Sequence, residues 1–314
     1  MCLNHIIIMG DIMKLTKNIE EANLITHSGN FHADDIFATV FMSKIIKNPV
    51  LYRLNNYTDD IKTDAIIYDI GGGKFDHHQV MSDYREDGIT KYSSVGLLWR
   101  EFGKEYLKTI TDTDIEFLFN EIDNNLIYQI DAIDNGQFPT IESNYKVKTL
   151  SDIISMFNPN WNNQDKMDEC FMKAFNFANE IFDLEIDKSI SKQKAEKKVE
   201  EEISKCDGQI LVLKEFMPFK DFILESKNPL AKTLKFVIFP SQRGGYTIHT
   251  IPKSKLDRTP RLSFNDSWCG LRDKELQQIS GIESAIFVHP DGFIGGANTL
   301  EDSIKMAKKT IYER

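Results

Sequence analysis

Cysteine is scarce in this 314-residue chain. Cys2, Cys170, Cys206 and Cys269 stand far apart and form no Cys-x-x-Cys pair. This argues against a disulfide framework or a structural zinc knuckle and fits a reducing compartment. No apolar run reaches the roughly 18 residues that a membrane-spanning helix needs, so no membrane partner is expected. The short apolar stretch Ile6–Met9 has no basic segment ahead of it, and Asp11, Glu20 and Glu21 speak against a mitochondrial presequence. The expected location is cytoplasmic, with mitochondrial or nuclear residence left open. Excess positive charge is missing as well. Lys and Arg number 38 against 48 Asp and Glu, a net charge of −10, which argues against broad unspecific binding to nucleic acid but allows a local basic groove. Without a Gly-x-x-x-x-Gly-Lys-Ser/Thr run there is no support for a P-loop NTPase. Without a Gly-x-Ser-x-Gly elbow a serine hydrolase is not expected. No internal repeat is present.

What the chain does have is concentrated. Asp69–His78 reads Asp-Ile-Gly-Gly-Gly-Lys-Phe-Asp-His-His and follows an apolar run, Ala65-Ile66-Ile67-Tyr68, that reads as a buried strand. The glycines allow a sharp turn. Asp69 falls at a strand's C-terminal end, where open α/β sheets place ligands. Asp76, His77 and His78 add oxygen and nitrogen donors suited to divalent metals. Upstream, Thr26-His27-Ser28-Gly29-Asn30-Phe31-His32-Ala33-Asp34-Asp35 follows Leu24-Ile25. Four of the seven histidines sit in these two stretches. A lone histidine is more often a satisfied core or surface residue, but two His-plus-Asp clusters at strand ends are hard to obtain by packing alone.

The length predicts two domains. The boundaries drawn are 22–160, a long helical linker over 161–206, and 207–314. In the first part, strands Leu24–Thr26, Val50–Leu54 and Ala65–Ile70 alternate with helices, which predicts an α/β fold with a largely parallel sheet. Asp34 or Asp35 caps a helix bearing Phe37, Val40, Phe41 and Ile45 at helical spacing. Ser93-Ser94 caps another with Trp99 in the core; Ser94 and Gly96 let its N-terminus approach a phosphate or support the metal loop. Asp114–Ile133 reads as a helix stopped by Gly136. Asp131 and Asp134 share a face at its end, where two acids oppose the helix dipole; a solvated end and a metal site fit equally well. Ser151 caps the next helix. The charge run Lys192–Lys205 reads as a solvated helix face. After Asp207-Gly208 a smaller α+β domain follows. It has strands Ile210–Leu213, Leu234–Phe239, Tyr246–Ile251 and Ala285–His289, helices over 270–279 and Leu300–Ile311, and a hairpin at Gly244-Gly245. Its basic stretch Lys253, Lys255, Arg258, Arg261 and a Gly295-Gly296 turn are candidates for phosphate contacts, or are simply an exposed loop and a hairpin.

The donors His27, His32, Asp34, Asp69, Asp76, His77, His78 and Asp134 suffice for two divalent ions. Such a pair, about 3.5–4 Å apart, can clamp a phosphoryl group and activate a hydroxide for in-line attack. Asp69, in the middle, is the choice for a bridging carboxylate.

This ordered set resembles the DHH phosphoesterase superfamily and, more closely, the MYG family (melanocyte-proliferating-gene type) of metal-dependent hydrolases or exonucleases. The likeness runs from about residue 22 to the C-terminus. Beyond the two clusters it is carried by Ser93-Ser94-Val95-Gly96-Leu97, Ile130-Asp131-Ala132-Ile133-Asp134-Asn135-Gly136, Trp268-Cys269-Gly270-Leu271-Arg272-Asp273 and Phe287–Gly296. The resemblance implies a DHH-type domain, a C-terminal substrate-binding domain, and an active site in the cleft between them. It implies one ion on His27, His32 and Asp69 and another on Asp34, Asp69, His77 and Asp134. Asp76 would orient the histidines, and His78 would face the scissile phosphate. Arg272, His289, Gly295 and Gly296 would contact substrate. Many superfamily members place Asp where His32 stands, which softens the site; MYG-type sequences share this His. Mn²⁺ is the first choice of metal, with Mg²⁺ or Zn²⁺ as alternatives.

The expected activity is that of a metal-dependent phosphodiesterase, a 3′→5′ exonuclease on RNA or short oligonucleotides. The alternatives are a phosphatase for pyrophosphate or a nucleotide, and a metal-binding protein without turnover. Oligomeric state stays open, a homodimer included.

Overall fold

The computed structural model describes residues 13–58, 61, 63–79, 83–206 and 208–313. Cys2, the apolar Ile6–Met9, Asp11 and Asp207 lie outside them. The chain forms two compact units, one ending at Ile190 and the other beginning at Ser191.

The first unit is built on a parallel sheet of four strands. β1 (Lys14–Thr16), β2 (Leu24–His27), β3 (Val50–Leu54) and β4 (Ile66–Ile67) are ordered β1-β3-β2-β4. β4 is shorter than the expected Ala65–Ile70, because the backbone turns at Asp69 into the glycine loop; Tyr68 still bridges to Phe75. β1 lay in a stretch without pattern. Its three residues pair with β3 only at the sheet edge, too short a run for periodicity to show.

Helices α1 (Ala33–Ile45), α2 (Ser94–Ile110), α3 (Ile115–Ile122), α4 (Tyr128–Asp134) and α5 (Leu150–Ser155) follow, and α6 (Met167–Lys205) continues into the second unit. α3 and α4 are the expected single helix, joined by a π turn at Asp123–Ile127 that inserts one extra residue. α1 has His32, not Asp34 or Asp35, as its N-cap, because both aspartates already lie within the first turn. Thr149 rather than Ser151 caps α5, with its hydroxyl accepting from Asp152 N. The core is aromatic. Trp99 is fully buried, stacked 5.4 Å from Phe119 and edge-on at 5.1 Å to Phe41. Burying a side chain of that size contributes several kcal/mol, at about 25 cal/mol per Å².

The second unit holds a five-stranded mixed sheet. β5 (Ile210–Val212), β6 (Phe236–Pro240), β7 (Tyr246–Thr250), β8 (Ala285–Val288) and β9 (Ile294–Ala297) are ordered β5-β6-β7-β9-β8. Only β5 and β6 are parallel. The β6–β7 hairpin turns at Gly244 and Gly245, both at positive φ. Helices α7 (Lys220–Glu225), α8 (Pro229–Thr233), α9 (Asp273–Ser280) and α10 (Leu300–Tyr312) complete it. The expected Gly295-Gly296 turn is a strand instead. Gly295 pairs with Ile248 and Val288, and Gly296 with Thr247 and Phe287, inside β9. No described helix is long and apolar enough to cross a membrane.

Candidate metal centre

The parallel register builds the site. Ile25 lies opposite Ile67, and two residues further His27 and Asp69 leave their strands side by side. Asp69 then adopts φ +59, in the left-handed region, and its N–H donates to Phe75 O at 3.1 Å. Gly71 (φ +91) follows so tightly against Tyr57 that a Cβ there would sit 2.8 Å from the ring. The loop returns through Asp76, His77 and His78. The first turn of α1 contributes Asp34 and Asp35, at a helix end whose dipole favours carboxylates. The last turn of α4 contributes Asp134, and Gly136 (φ +78) ends that segment.

Asp69 stands between two imidazoles. Its Oδ2 is 3.1 Å from His27 Nε2 and its Oδ1 is 3.1 Å from His77 Nε2. Ser94 Oγ donates to Oδ1 at 3.2 Å, so the start of α2 supports this carboxylate. On the far side of His77, Asp134 Oδ2 lies at 3.2 Å and Asp34 Oδ2 at 3.6 Å. Beyond His27, Asp35 Oδ2 lies at 3.4 Å. Three groups of donor atoms are close enough to share an ion: His27, Asp35 and Asp69; Asp69, His77 and His78; His32, Asp34 and Asp134. Asp76 turns to His78 rather than His77. Its Oδ1 is 2.8 Å from His78 Nδ1, and its Oδ2 accepts from Gly72 N at 2.7 Å. The His78 side chain is 64% exposed, the most open of the imidazoles for which a contact to Asp69 exists.

Charge in this cluster is unbalanced. Burial, then the charges of Asp69, Asp134 and Asp35, push the Asp34 carboxyl well above its ordinary range. Neither of its oxygens accepts a hydrogen bond among the described residues. Burial likewise lifts Asp35 to about 7 and raises Asp134. Burial also works against charge on Asp69, but hydrogen bonds from His27 and His77 outweigh it and hold that carboxyl low. Burial pulls the His27 imidazole down; its bond to Asp69 and the charges of Asp35 and Asp69 win and lift it to about 9. The Asp34 carboxyl without a donor, beside other carboxyls that burial lifts and a His27 imidazole drawn toward protonation, forms a site short of positive charge. Divalent cations fit such a donor set.

Asp35 was legible only as a helix cap. It does cap, accepting from His32 N at 2.8 Å through Oδ1, while its other oxygen faces His27. Lys91, also missed, lines the open cavity of about 400 Å³ bounded by His32, His77, His78, Asp134 and Asn135. A single lysine in an unpatterned loop carries no sequence signal.

Asp131 and Asp134 part company. Asp131 is fully buried and accepts from Arg85 Nε at 2.7 Å, Ser93 N at 3.1 Å and Ser93 Oγ at 2.6 Å. Arg85 and the N-terminus of α2 thus relieve the acid that the dipole opposes. Gly96 makes room for this carboxylate, which a Cβ would overlap.

Arg272, His289, Gly295 and Gly296 belong to the second unit. The Arg272 guanidinium lies over the Phe287 ring at 5.5 Å. A Cβ on Gly296 would sit 3.0 Å from that ring, and one on Gly295 would sit 3.0 Å from Phe287 O. Both glycines therefore serve close packing within the sheet. His289 Nδ1 accepts from Asp291 N at 3.1 Å. Arg261 turns inward to Ala231 O (2.7 Å) and Leu234 O (3.1 Å), which makes it a structural cation rather than a member of an exposed basic loop.

A family profile described as "Uncharacterised protein family (UPF0160)", with the short name MYG1_exonuc, matches residues 23–311. The MYG1 protein of Saccharomyces cerevisiae is 31% identical over 96% of this chain and 100% of its own length. The protein named MYG1 exonuclease in Rattus norvegicus is 30% identical over 92% of this chain and 84% of its own. Its namesake in Homo sapiens is 31% identical, over 92% and 85%. A solved structure titled "pGpG-specific phosphodiesterase - PggH from Vibrio cholrae" covers 94% of this chain and 98% of its own, at 18% identity and a TM-score of 0.25, too slight a likeness to carry an argument.

Proposed function

Because the chain belongs to the MYG1 family, we propose that it is a metal-dependent phosphodiesterase of the DHH type, a 3′→5′ exonuclease on RNA or short oligonucleotides. The observation that carries this reading is the Asp69 carboxylate held between His27 and His77, with the donorless Asp34 beside it. We assign His27, Asp35 and Asp69 to one ion and Asp34, Asp69, His77 and Asp134 to the other, with His32 on the second ion's side. Two divalent ions, Mn²⁺ by preference and Mg²⁺ or Zn²⁺ otherwise, would supply Lewis acidity to the phosphoryl oxygens and acidify a water molecule.

The chain's own residues do the rest. Asp76 fixes the His78 ring through Nδ1, so that Nε2 points away from the carboxylate and is free to meet a phosphate oxygen. Ser94 keeps Asp69 in register with both imidazoles. Lys91 offers a cation to a substrate phosphate across the open cavity.

The test is hydrolysis of a 5′-labelled RNA with added Mn²⁺, beside a His77→Ala variant and a pyrophosphate control. A ladder shortening from the 3′ end and lost in the variant is the expected result. Intact RNA with phosphate released from pyrophosphate would move the assignment to a phosphatase, and silence on both would end it. Lys91→Ala is expected to lower kcat/KM by about ten- to a hundredfold, the worth of one charge-assisted hydrogen bond, mainly through KM. Unchanged steady-state kinetics would remove Lys91 from the substrate path.

A further inference from the structure

The second unit carries two adjoining pockets of unlike chemistry. One, of about 680 Å³, is basic and is lined by Lys220, Lys255, Arg258 and Phe293. The other, of about 270 Å³, is aromatic and is lined by Phe216, Phe219 and Phe239. Lys220, Asp221 and His249 line both.

The cations are available. Lys255 pairs with Glu225, but Lys220 and Arg258 have no carboxylate ion-pair partner among the described residues. Partial burial, reinforced by the charge of Arg258 and opposed by that of Asp221, lowers the Lys220 ammonium below its ordinary value, and an anion placed between Lys220 and Arg258 would relieve it. His249 is set as an acceptor. Its Nδ1 lies 2.7 Å from Thr250 O, and a carbonyl only accepts, so Nδ1 carries the proton. Burial, reinforced by Lys220 against the pull of that carbonyl, keeps the ring neutral. Nε2 is left with a lone pair and no partner among the described residues. On the apolar side, Phe216 is 56% exposed and tilts against Phe239 at 5.2 Å, an aromatic face open to solvent.

We infer that these joined pockets bind one ribonucleotide unit: Lys220 and Arg258 hold the phosphate, His249 Nε2 accepts from a ribose hydroxyl, and the ring of Phe216 stacks on the base. Charge complementarity commits the basic pocket to a phosphate. The aromatic pocket has room for one ring system and not for a helix face or a lipid. Base stacking on an exposed aromatic beside a cationic groove is how single-stranded nucleic acid is held without sequence preference. The choice of RNA over other phosphates rests on the nuclease reading above.

The test is binding of AMP, adenosine and inorganic phosphate to the full chain in EDTA, where hydrolysis does not intrude. Lys220→Ala/Arg258→Ala is expected to weaken AMP and phosphate about tenfold or more, leaving adenosine unchanged. Phe216→Ala is expected to weaken AMP and adenosine about tenfold, leaving phosphate unchanged. Thermal unfolding of each variant controls for folding. Equal AMP affinity in all three proteins overturns the inference. A short RNA separates the sources. A shared loss, with the salt slope lowered by about two in the double variant, assigns the pockets to a unit of the substrate strand. A loss confined to AMP assigns them to a free nucleotide. If RNA hydrolysis is missing while these losses stand, only the nuclease reading fails; hydrolysis with unchanged AMP binding overturns this one alone.

Discussion

Asp69→Asn is expected to abolish turnover, by about a thousandfold or more, and to weaken Mn²⁺ binding in a calorimetric titration. Several kcal/mol of charge stabilisation at a metal site corresponds to this loss, at about 1.4 kcal/mol per tenfold in rate. Asparagine is the right replacement. Residue 69 sits at φ +59, a conformation that Asn tolerates and that most side chains resist. The amide oxygen can still accept from Ser94 Oγ, so the loop keeps its shape. What disappears is the negative charge shared between His27 and His77. Asp69→Ala would confuse that loss with backbone strain. Turnover within tenfold of the parent, with Mn²⁺ affinity preserved, would show that Asp69 does not join two ions.

Arg85→Met should cost stability rather than chemistry, about 3–5 kcal/mol at pH 7 in denaturant unfolding, because it leaves a buried charge without its partner. Arg85 binds Asp131 through Nε at 2.7 Å and Asp123 through Nη1 at 2.6 Å, between the rings of Tyr92 and Tyr128. Burial raises the Asp131 carboxyl to about 6 even though Arg85 and Ser93 pull it down. Folding therefore favours the protonated acid. The stability from this group is full below its ordinary value of 3.8 and is lost as pH rises through about 6. Without Arg85 the folded value climbs further, so the deficit at pH 7 should shrink near pH 4. Adding Asp131→Asn to Arg85→Met should restore part of the loss at pH 7. A deficit independent of pH would mean that lost packing against the two rings, not the stranded charge, is the cause.

The two His-plus-Asp stretches could be read because their donors are local. Each begins within a few residues of a strand end, and strand, glycine loop and helix start all announce themselves over short range. The same locality hid what was missed. Arg85 meets Asp131 across 46 residues of chain, and nothing near either one signals the other. Asp35 looked like a cap because it is one, and its second oxygen acquires a partner only when β2 brings His27 alongside α1. Gly295-Gly296 resembled a turn by composition. Tertiary contact decided otherwise, since Phe287 and Phe264 need the space that side chains there would fill. Lys220, His249 and Phe216 are joined by folding alone and form no motif.

The π turn at Asp123–Ile127 has a consequence for descent and alignment. One residue more than an α-helix requires turns everything after it by about 100°. Asp131 and Asp134 come after it. Their facing toward Arg85 and His77 therefore depends on a count of residues as much as on their own identity. Deleting any one residue from 124 to 127 would leave every acid in place on paper and aim both carboxylates elsewhere. A homologue that carries Asp131 and Asp134 with a gap in that interval has kept the letters and lost the geometry.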